Sequence, residues 1–158
     1  YDMPHPVPAN SFGKTYGLHR EKLEFNIKEH KKIQTYCKKR KIEYMCSAWD
    51  ITSLKELIEL KVKHIKIPSA CNNNYELISY LFKKFNGYCH ISLGMTTSIE
   101  EKKIIQLSKK YKKNKKLILY ACTSDYPVKH EDICLLEITR LRKDYGKKIN
   151  AIGFSGHH

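Results

Sequence analysis

Five short apolar segments recur along the chain, at residues 44–47, 64–69, 90–94, 118–124 and 151–158, and each carries a polar group at or near its C-terminal end. Between them lie stretches with apolar residues at helical spacing. Ile27, His30, Ile33 and Cys37 follow Asn26, an N-cap with Glu29 three residues on. Ser53 and Glu56 read as a second capping box before Leu57 and Ile58. Asn74 caps a helix carrying Leu77, Ile78, Leu81 and Phe82, with Gly87 beyond its end. Ser98 opens a helix to about Tyr111, and a last helix is predicted over 132–145, with Gly146 as its left-handed terminator. Residues 1–19, broken by Pro4, Pro6, Pro8, Gly13 and Gly17, read as a loop, followed by a helical turn over 20–25.

Strands alternating with helices predict an α/β fold with a parallel sheet and helical crossovers. Two architectures satisfy that order: an open doubly wound sheet and a parallel (β/α)8 TIM-type barrel. The glycine fingerprint G-x-G-x-x-G of a dinucleotide fold is missing after the first strand. Polar groups at successive strand ends favour the barrel, because barrel sites sit on that face. Five strands cannot close an eight-stranded barrel, so the chain is expected to be an incomplete fragment of one. Such a fragment is expected to be inactive alone, with exposed sheet edges that invite aggregation.

The charge is the next constraint. The chain carries 30 Lys+Arg against 16 Asp+Glu, a formal +14. That balance invites a nucleic-acid reading. Only Arg20, Arg40, Arg140 and Arg142 are arginines, however, and bidentate base reading relies on arginine. The lysines gather at predicted helix ends, which is a solvated face; no nucleic-acid partner is expected. No run of 18 apolar residues and no apolar leader over 1–10 occurs, so neither a membrane partner nor a signal peptide is expected. Cys37, Cys46, Cys71, Cys89, Cys122 and Cys134 form no C-x-x-C pair. They read as reduced thiols of a cytoplasmic protein.

Lys66 lies inside an apolar strand between Ile65 and Ile67, where a lysine is costly unless paired. It either points outward along its stem, or binds an anion, or forms a Schiff base. The hydroxyls of Ser47, Ser69, Ser92, Thr123, Ser124 and Ser155 favour an anion, since lysine and hydroxyls together hold phosphate or carboxylate. Any one of these serines alone is an ordinary turn or cap residue; the signal is their repetition at equivalent strand ends. His157 and His158 are adjacent and point to opposite sides of a strand, so they do not share one metal easily. A loop pair or a tag remnant is the plainer reading of such a pair. Tyr126 before Pro127 reads as a loop tyrosine, and Asp50 as a residue near a helix start.

Five stretches then match one family in order. They are residues 11–20 (SFGKTYGLHR), 66–69 (KIPS), 92–95 (SLGM), 122–127 (CTSDYP) and 153–157 (GFSGH). The chain resembles the N-acetylneuraminate (sialic acid) synthases, including legionaminate and pseudaminate synthases. The resemblance implies that residues 1–158 are part of one catalytic (β/α)8 barrel domain. The first two strands, the last strand and a C-terminal antifreeze-like domain would then lie outside them. It implies a transferase of sialic acid and related carbohydrate biosynthesis. That enzyme condenses phosphoenolpyruvate with an N-acetylated hexosamine such as N-acetylmannosamine, giving a nonulosonic acid and phosphate. It further implies a divalent metal, manganese first, with magnesium or cobalt as alternatives, and a homodimer in the full-length protein.

Carried over by position, Lys66, Ser69, Ser92, Ser124 and Ser155 match residues that hold phosphoenolpyruvate, and Ser47 matches a hydroxyl with the same role. Tyr126 matches a contact to the amino sugar. His157 matches one of two metal-binding histidines, which sets the tag reading aside for it; Lys66 and His157 are the catalytic pair. The second histidine and a sugar-binding glutamate have no counterpart here. Ser124 and Gly156 stand where some members carry Asn and Asp, which leaves the sugar open. Two other readings remain: a different phosphoenolpyruvate-using or Schiff-base aldolase on a barrel, and a non-enzymatic basic module that binds anions.

Overall fold

The computed structural model describes residues 2–5 and 7–157. The chain divides into two compact units, residues 1–42 and 43–158.

In the first unit, α1 (Tyr16–Leu23) is capped by Thr15, whose hydroxyl accepts from the Leu18 amide. The helix therefore begins inside the stretch read as loop and ends before Phe25, because the Thr15 cap and not the glycine sets its start. The loop reading of Tyr1 and Pro6 falls outside the described residues. His19 is buried, stacks on Phe12 and accepts the Phe12 N–H at Nδ1. The helix α2 (Ile27–Lys39) has the expected capping box: Asn26 accepts from the Glu29 amide, and the Glu29 carboxylate accepts from the Asn26 amide. Ile27, His30, Ile33 and Cys37 form its half-buried stripe.

The second unit holds β1 (Met45–Ser47), α3 (Ile51–Glu59), β2 (His64–Ile67), α4 (Tyr75–Lys84), β3 (Tyr88–Ser92), α5 (Ser98–Lys110), β4 (Leu117–Cys122), α6 (Leu136–Tyr145) and β5 (Ala151–Ser155). All neighbouring strands pair in parallel, and their spatial order is the order of the sequence, β1 to β5. A doubly wound sheet reverses its strand order at a switch point. None occurs among the described strands, so the sheet follows the sequential winding of a barrel. That removes the open-sheet alternative.

Alternation along each strand separates two faces. One face turns Ile65, Ile67, Cys89, Ile91, Leu117, Leu119 and Ala121 toward the helices. There they meet Leu54 and Leu57 of α3, Leu77, Ile78, Leu81 and Phe82 of α4, Ile104 and Ile105 of α5, and Leu141 of α6 in a single core. The other face carries Ser47, His64, Lys66, His90, Ser92, Tyr120, Cys122 and Ser155. Burial pushes the Cys89 thiol up to about 12, so it packs as an inert small hydrophobe. Between the outer helices, Glu101 is buried and paired with Arg140 at 2.6 Å, while the Tyr145 hydroxyl donates to it at 3.3 Å.

Several helix ends differ from expectation for local reasons. The N-cap of α3 is Asp50, not Ser53: its carboxylate accepts from both the Ser53 amide and the Ser53 hydroxyl at 2.8 Å. Those bonds hold its pKa below the ordinary carboxylate value. At α5 the box belongs to Thr97 and Glu100, one residue earlier than expected. α6 begins at Leu136, because residues 130–132 form a separate 3-10 turn. Gly146 is right-handed, at φ −53°. The left-handed stops belong instead to Lys41, Lys61 and Lys112, at φ 58°, 55° and 56° after α2, α3 and α5. After α5 the Lys113 amide reaches back to Ser108 and the Lys112 amide to Lys109, which satisfies carbonyls left open at a helix end. A lysine there adds a cation at the negative end of the helix, and no glycine marks the position in the sequence.

Candidate functional site

The polar strand ends converge as the sequence suggests. Lys66 Nζ lies 3.4 Å from Ser155 Oγ, although β3 and β4 stand between their two strands in the sheet order. Ser69 follows Pro68 just past β2. Its hydroxyl accepts the Gly94 N–H at 3.2 Å and donates to Cys122 Sγ at 3.4 Å. Cys122 Sγ in turn lies 3.8 Å from Ser124 Oγ and 3.9 Å from His157 Nε2. A cradle of hydroxyls, one thiol and one backbone N–H thus forms around the C-terminal ends of β2 to β5.

Gly94 is the floor of that cradle. A Cβ at this position would lie 2.0 Å from Ser124 Oγ and 2.7 Å from Ser69 Oγ. Only a residue without a side chain leaves the two hydroxyls room to converge. The following Met95 is left-handed at φ 60° and exposed, so the turn after β3 is strained at the rim of the site. Beside it opens a cavity of about 490 Å³, lined in part by Met95, Thr96, Cys122, Ser124, Asp125 and Glu137.

Ser92 lies on the same face, fully buried, and its Oγ has no hydrogen-bond partner among the described residues. A buried unpartnered hydroxyl costs stability unless a ligand or water satisfies it. Ser47 sits in register with Lys66 on the neighbouring strand, half-buried, on the lysine's face. Tyr126 is exposed, and its ring stacks on His157 at 4.2 Å, with its hydroxyl 3.4 Å from Nε2. The His157 backbone carbonyl accepts the Val128 N–H, which ties the loop after β4 to the end of β5. His157 Nδ1 is buried and has no partner among the described residues. His158 lies outside the described residues.

His157 fits a metal as a single donor. No group of three or more His, Cys, Asp or Glu that could hold a metal ion occurs among the described residues. Further ligands would have to come from elsewhere, so no chemical step is assigned to a metal on these residues alone.

Four residues of this face went unmarked in the sequence. The buried Asn72 amide nitrogen reaches Ser92 O at 3.1 Å, Gly94 O at 2.9 Å and Thr96 Oγ1 at 2.6 Å, and so pins the turn that forms the cradle floor. Its signal was the run Asn72-Asn73-Asn74, of which only the cap Asn74 was used. His64, His90 and Tyr120 form a hydrogen-bonded row below Lys66: His64 Nδ1 is 2.9 Å from His90 Nε2, and His90 Nδ1 is 2.7 Å from the Tyr120 hydroxyl. Burial, then the His64 and Lys66 charges, lower the His90 pKa to about 4, which keeps it neutral near pH 7. Their signal was a polar residue at every second place in otherwise apolar strands.

The profile of the NeuB family matches residues 5–158. The chain is 35% identical over 151 residues to the N-acetylneuraminate-9-phosphate synthase of Drosophila melanogaster, covering 96% of this chain and 40% of the relative. The corresponding Homo sapiens synthase is 32% identical, covering 94% of this chain and 40% of its own length. An N,N'-diacetyllegionaminic acid synthase from Campylobacter jejuni is 31% identical, with coverage of 87% and 40%. Among solved structures, the N-acetylneuraminic acid (sialic acid) synthetase of Leptospira borgpetersenii, crystallised with citrate, superposes with a TM-score of 0.82. It is 26% identical, with 92% of this chain and 50% of that chain covered. The chain thus spans about 40% of the length of the curated relatives it matches. With the profile spanning residues 5–158, the chain belongs to the NeuB family.

Proposed function

We propose that this chain carries the phosphoenolpyruvate-binding part of a sialic-acid-type synthase. The observation that carries the reading is the cradle itself. One ammonium and several hydroxyls, one of them steadied by the Gly94 N–H, converge where a barrel places its chemistry. Such a donor set suits a small dianion bearing phosphate and carboxylate. In this reading Lys66 and Ser155 hold one anionic group, Ser124 and Ser69, whose hydroxyl the Gly94 N–H steadies, hold another, and Ser92 and Ser47 complete the wall. The barrel would be closed by strands outside residues 1–158, in a homodimeric, cytoplasmic protein; the six unbridged cysteines accord with that setting.

The proposed reaction joins C3 of phosphoenolpyruvate to the aldehyde carbon of an open-chain N-acetylated hexosamine. Water adds at C2, and the C–O bond to phosphate breaks, releasing phosphate. Fixed donors around both anionic groups hold C3 facing the aldehyde and need no reorganisation as charge moves. Tyr126, exposed and stacked on His157, is placed to touch the sugar. A divalent metal, manganese by preference, would polarise the aldehyde oxygen as a Lewis acid, with His157 as one of its donors. In this reading Lys66 acts as an anion ligand and forms no Schiff base, its ammonium sharing an anion with the Ser155 hydroxyl 3.4 Å away.

The test is phosphate release from phosphoenolpyruvate by the complete protein, with manganese and N-acetylmannosamine, unphosphorylated or carrying a 6-phosphate. The second arm follows from the relatives' 9-phosphate product, whose ninth carbon is the sixth of the sugar. Release that requires sugar and metal, and collapses in His157→Ala and Lys66→Ala, is the expected result. Borohydride trapping of a substrate adduct on Lys66 would overturn it in favour of a Schiff-base aldolase.

A further inference from the structure

Three neighbouring strands are tied together on the polar face by side chains as well as backbone. His64 begins the row, stacked on Tyr88 at 5.1 Å. His90 continues it, packed close to parallel with Tyr120 at 5.7 Å. A neutral His90 donates through one ring nitrogen and accepts through the other, so one imidazole satisfies both neighbours. Tyr120 ends the row with its ring against Gly153, its register partner on β5. A Cβ at Gly153 would lie 2.7 Å from the ring, so the glycine makes the space the ring occupies. The ring thus has a glycine floor on one side and a hydrogen bond at its tip. Lys66 Nζ lies 5.6 Å from the ring centroid and 3.4 Å from Ser155 Oγ.

A lysine side chain has a flexible four-carbon stem, and an unguided ammonium wanders. A ring face attracts a cation and narrows where it can sit. We propose that His64, His90 and Tyr120 form a brace across β2, β3 and β4 that positions the Lys66 ammonium toward Ser155. His90 is the central positioning residue. The proposal rests on the reading of Lys66 as the phosphoenolpyruvate ligand, and none of the three residues is assigned a contact with substrate.

The complete protein tests it with His90→Leu, His90→Gln, which can still bond the Tyr120 hydroxyl, and Tyr120→Phe, which keeps the ring and removes its tether. Lysines are reductively methylated with carbon-13, and the Lys66 signal is identified by its loss in Lys66→Arg. Ring current from Tyr120 should set that signal apart in the wild type. The brace predicts that it moves toward the surface-lysine position in His90→Leu and Tyr120→Phe and recovers in His90→Gln. The KM for phosphoenolpyruvate should rise about tenfold in His90→Leu, the scale of a lost charge-assisted contact, with the sugar KM and kcat near wild type. An unmoved Lys66 signal in folded Tyr120→Phe and His90→Leu proteins would overturn the brace, as would a loss of melting temperature with both KM values unchanged. A signal that moves as expected in a protein that binds no phosphoenolpyruvate would support the brace and overturn only the substrate reading.

Discussion

The two faces of one sheet are built to opposite rules. On the helix side, Ile65, Ile67, Cys89, Ile91, Leu117, Leu119 and Ala121 are almost fully buried among leucines, isoleucines and phenylalanine. On the other side, the alternating residues are histidines, a lysine, a tyrosine, serines and a thiol. Some of their polar atoms, Ser92 Oγ and His157 Nδ1, are buried with no partner among the described residues. Because side chains alternate with a period of two, one strand serves both faces with little interference. The comparison shows where stability is made and where it is given up: the apolar face holds the strands so firmly that the polar face can keep unsatisfied groups.

If that division is right, a change on the apolar face should alter stability and spare affinity. Leu119→Ala, at a fully buried position, should cost about 2–5 kcal/mol by chemical denaturation. Phosphoenolpyruvate affinity per folded molecule should stay at the wild-type value; a matching loss of affinity would break the comparison. The converse change is Gly94→Ala. Its Cβ enters the space of Ser69 and Ser124, and phosphoenolpyruvate binding by calorimetry should weaken about 100-fold, as for a 1 Å misplacement. Its melting temperature should fall far less than that of Leu119→Ala.

A smaller effect comes with pH. His90 is neutral when folded, with a pKa near 4, below the ordinary histidine value. Between those two values the unfolded chain binds the extra proton. Stability from this group is therefore complete above about pH 6.5 and falls as pH drops toward 4, by on the order of 2 kcal/mol. Denaturation midpoints of wild type and His90→Gln, compared at pH 7 and pH 5, should converge at the lower pH. The smallest expected effect is that of Ser92→Ala. Removing an unpartnered hydroxyl should leave stability unchanged or raise it by up to about 1 kcal/mol, while phosphoenolpyruvate affinity drops. A clear loss of stability would mean that the hydroxyl serves the fold.

Much of this was legible before any coordinates. Leu77, Ile78, Leu81 and Phe82 mark the buried stripe of α4 at helical spacing, and all four are in the core. The five strands fall within two residues of expectation at nearly every end. The misses were local competitions that composition does not resolve. Asp50 and Ser53 can each cap α3, and the carboxylate wins by bonding both the amide and the hydroxyl of the serine. Lysines took the left-handed stops where glycine was sought. On the polar face, attention to strand ends found Ser69, Ser124 and Ser155 but passed over His90 and Tyr120 in mid-strand. A polar residue inside an apolar run reads as exposed until its partners on other strands are known.

The sequence by itself determined the kinds of element, their order and the chemistry at the strand ends. Those properties follow from spacing within a few residues, through the periods of helix and strand. Only the tertiary structure decided which groups meet. Lys66 and Ser155 are 89 residues apart and touch because the strands stack in sequential order, in one register. His64, His90 and Tyr120 join because parallel pairing sets His64 against Tyr88 and Lys66 against His90. Register is a property of strand pairs and not of any one strand, and so a single stretch of sequence does not contain it.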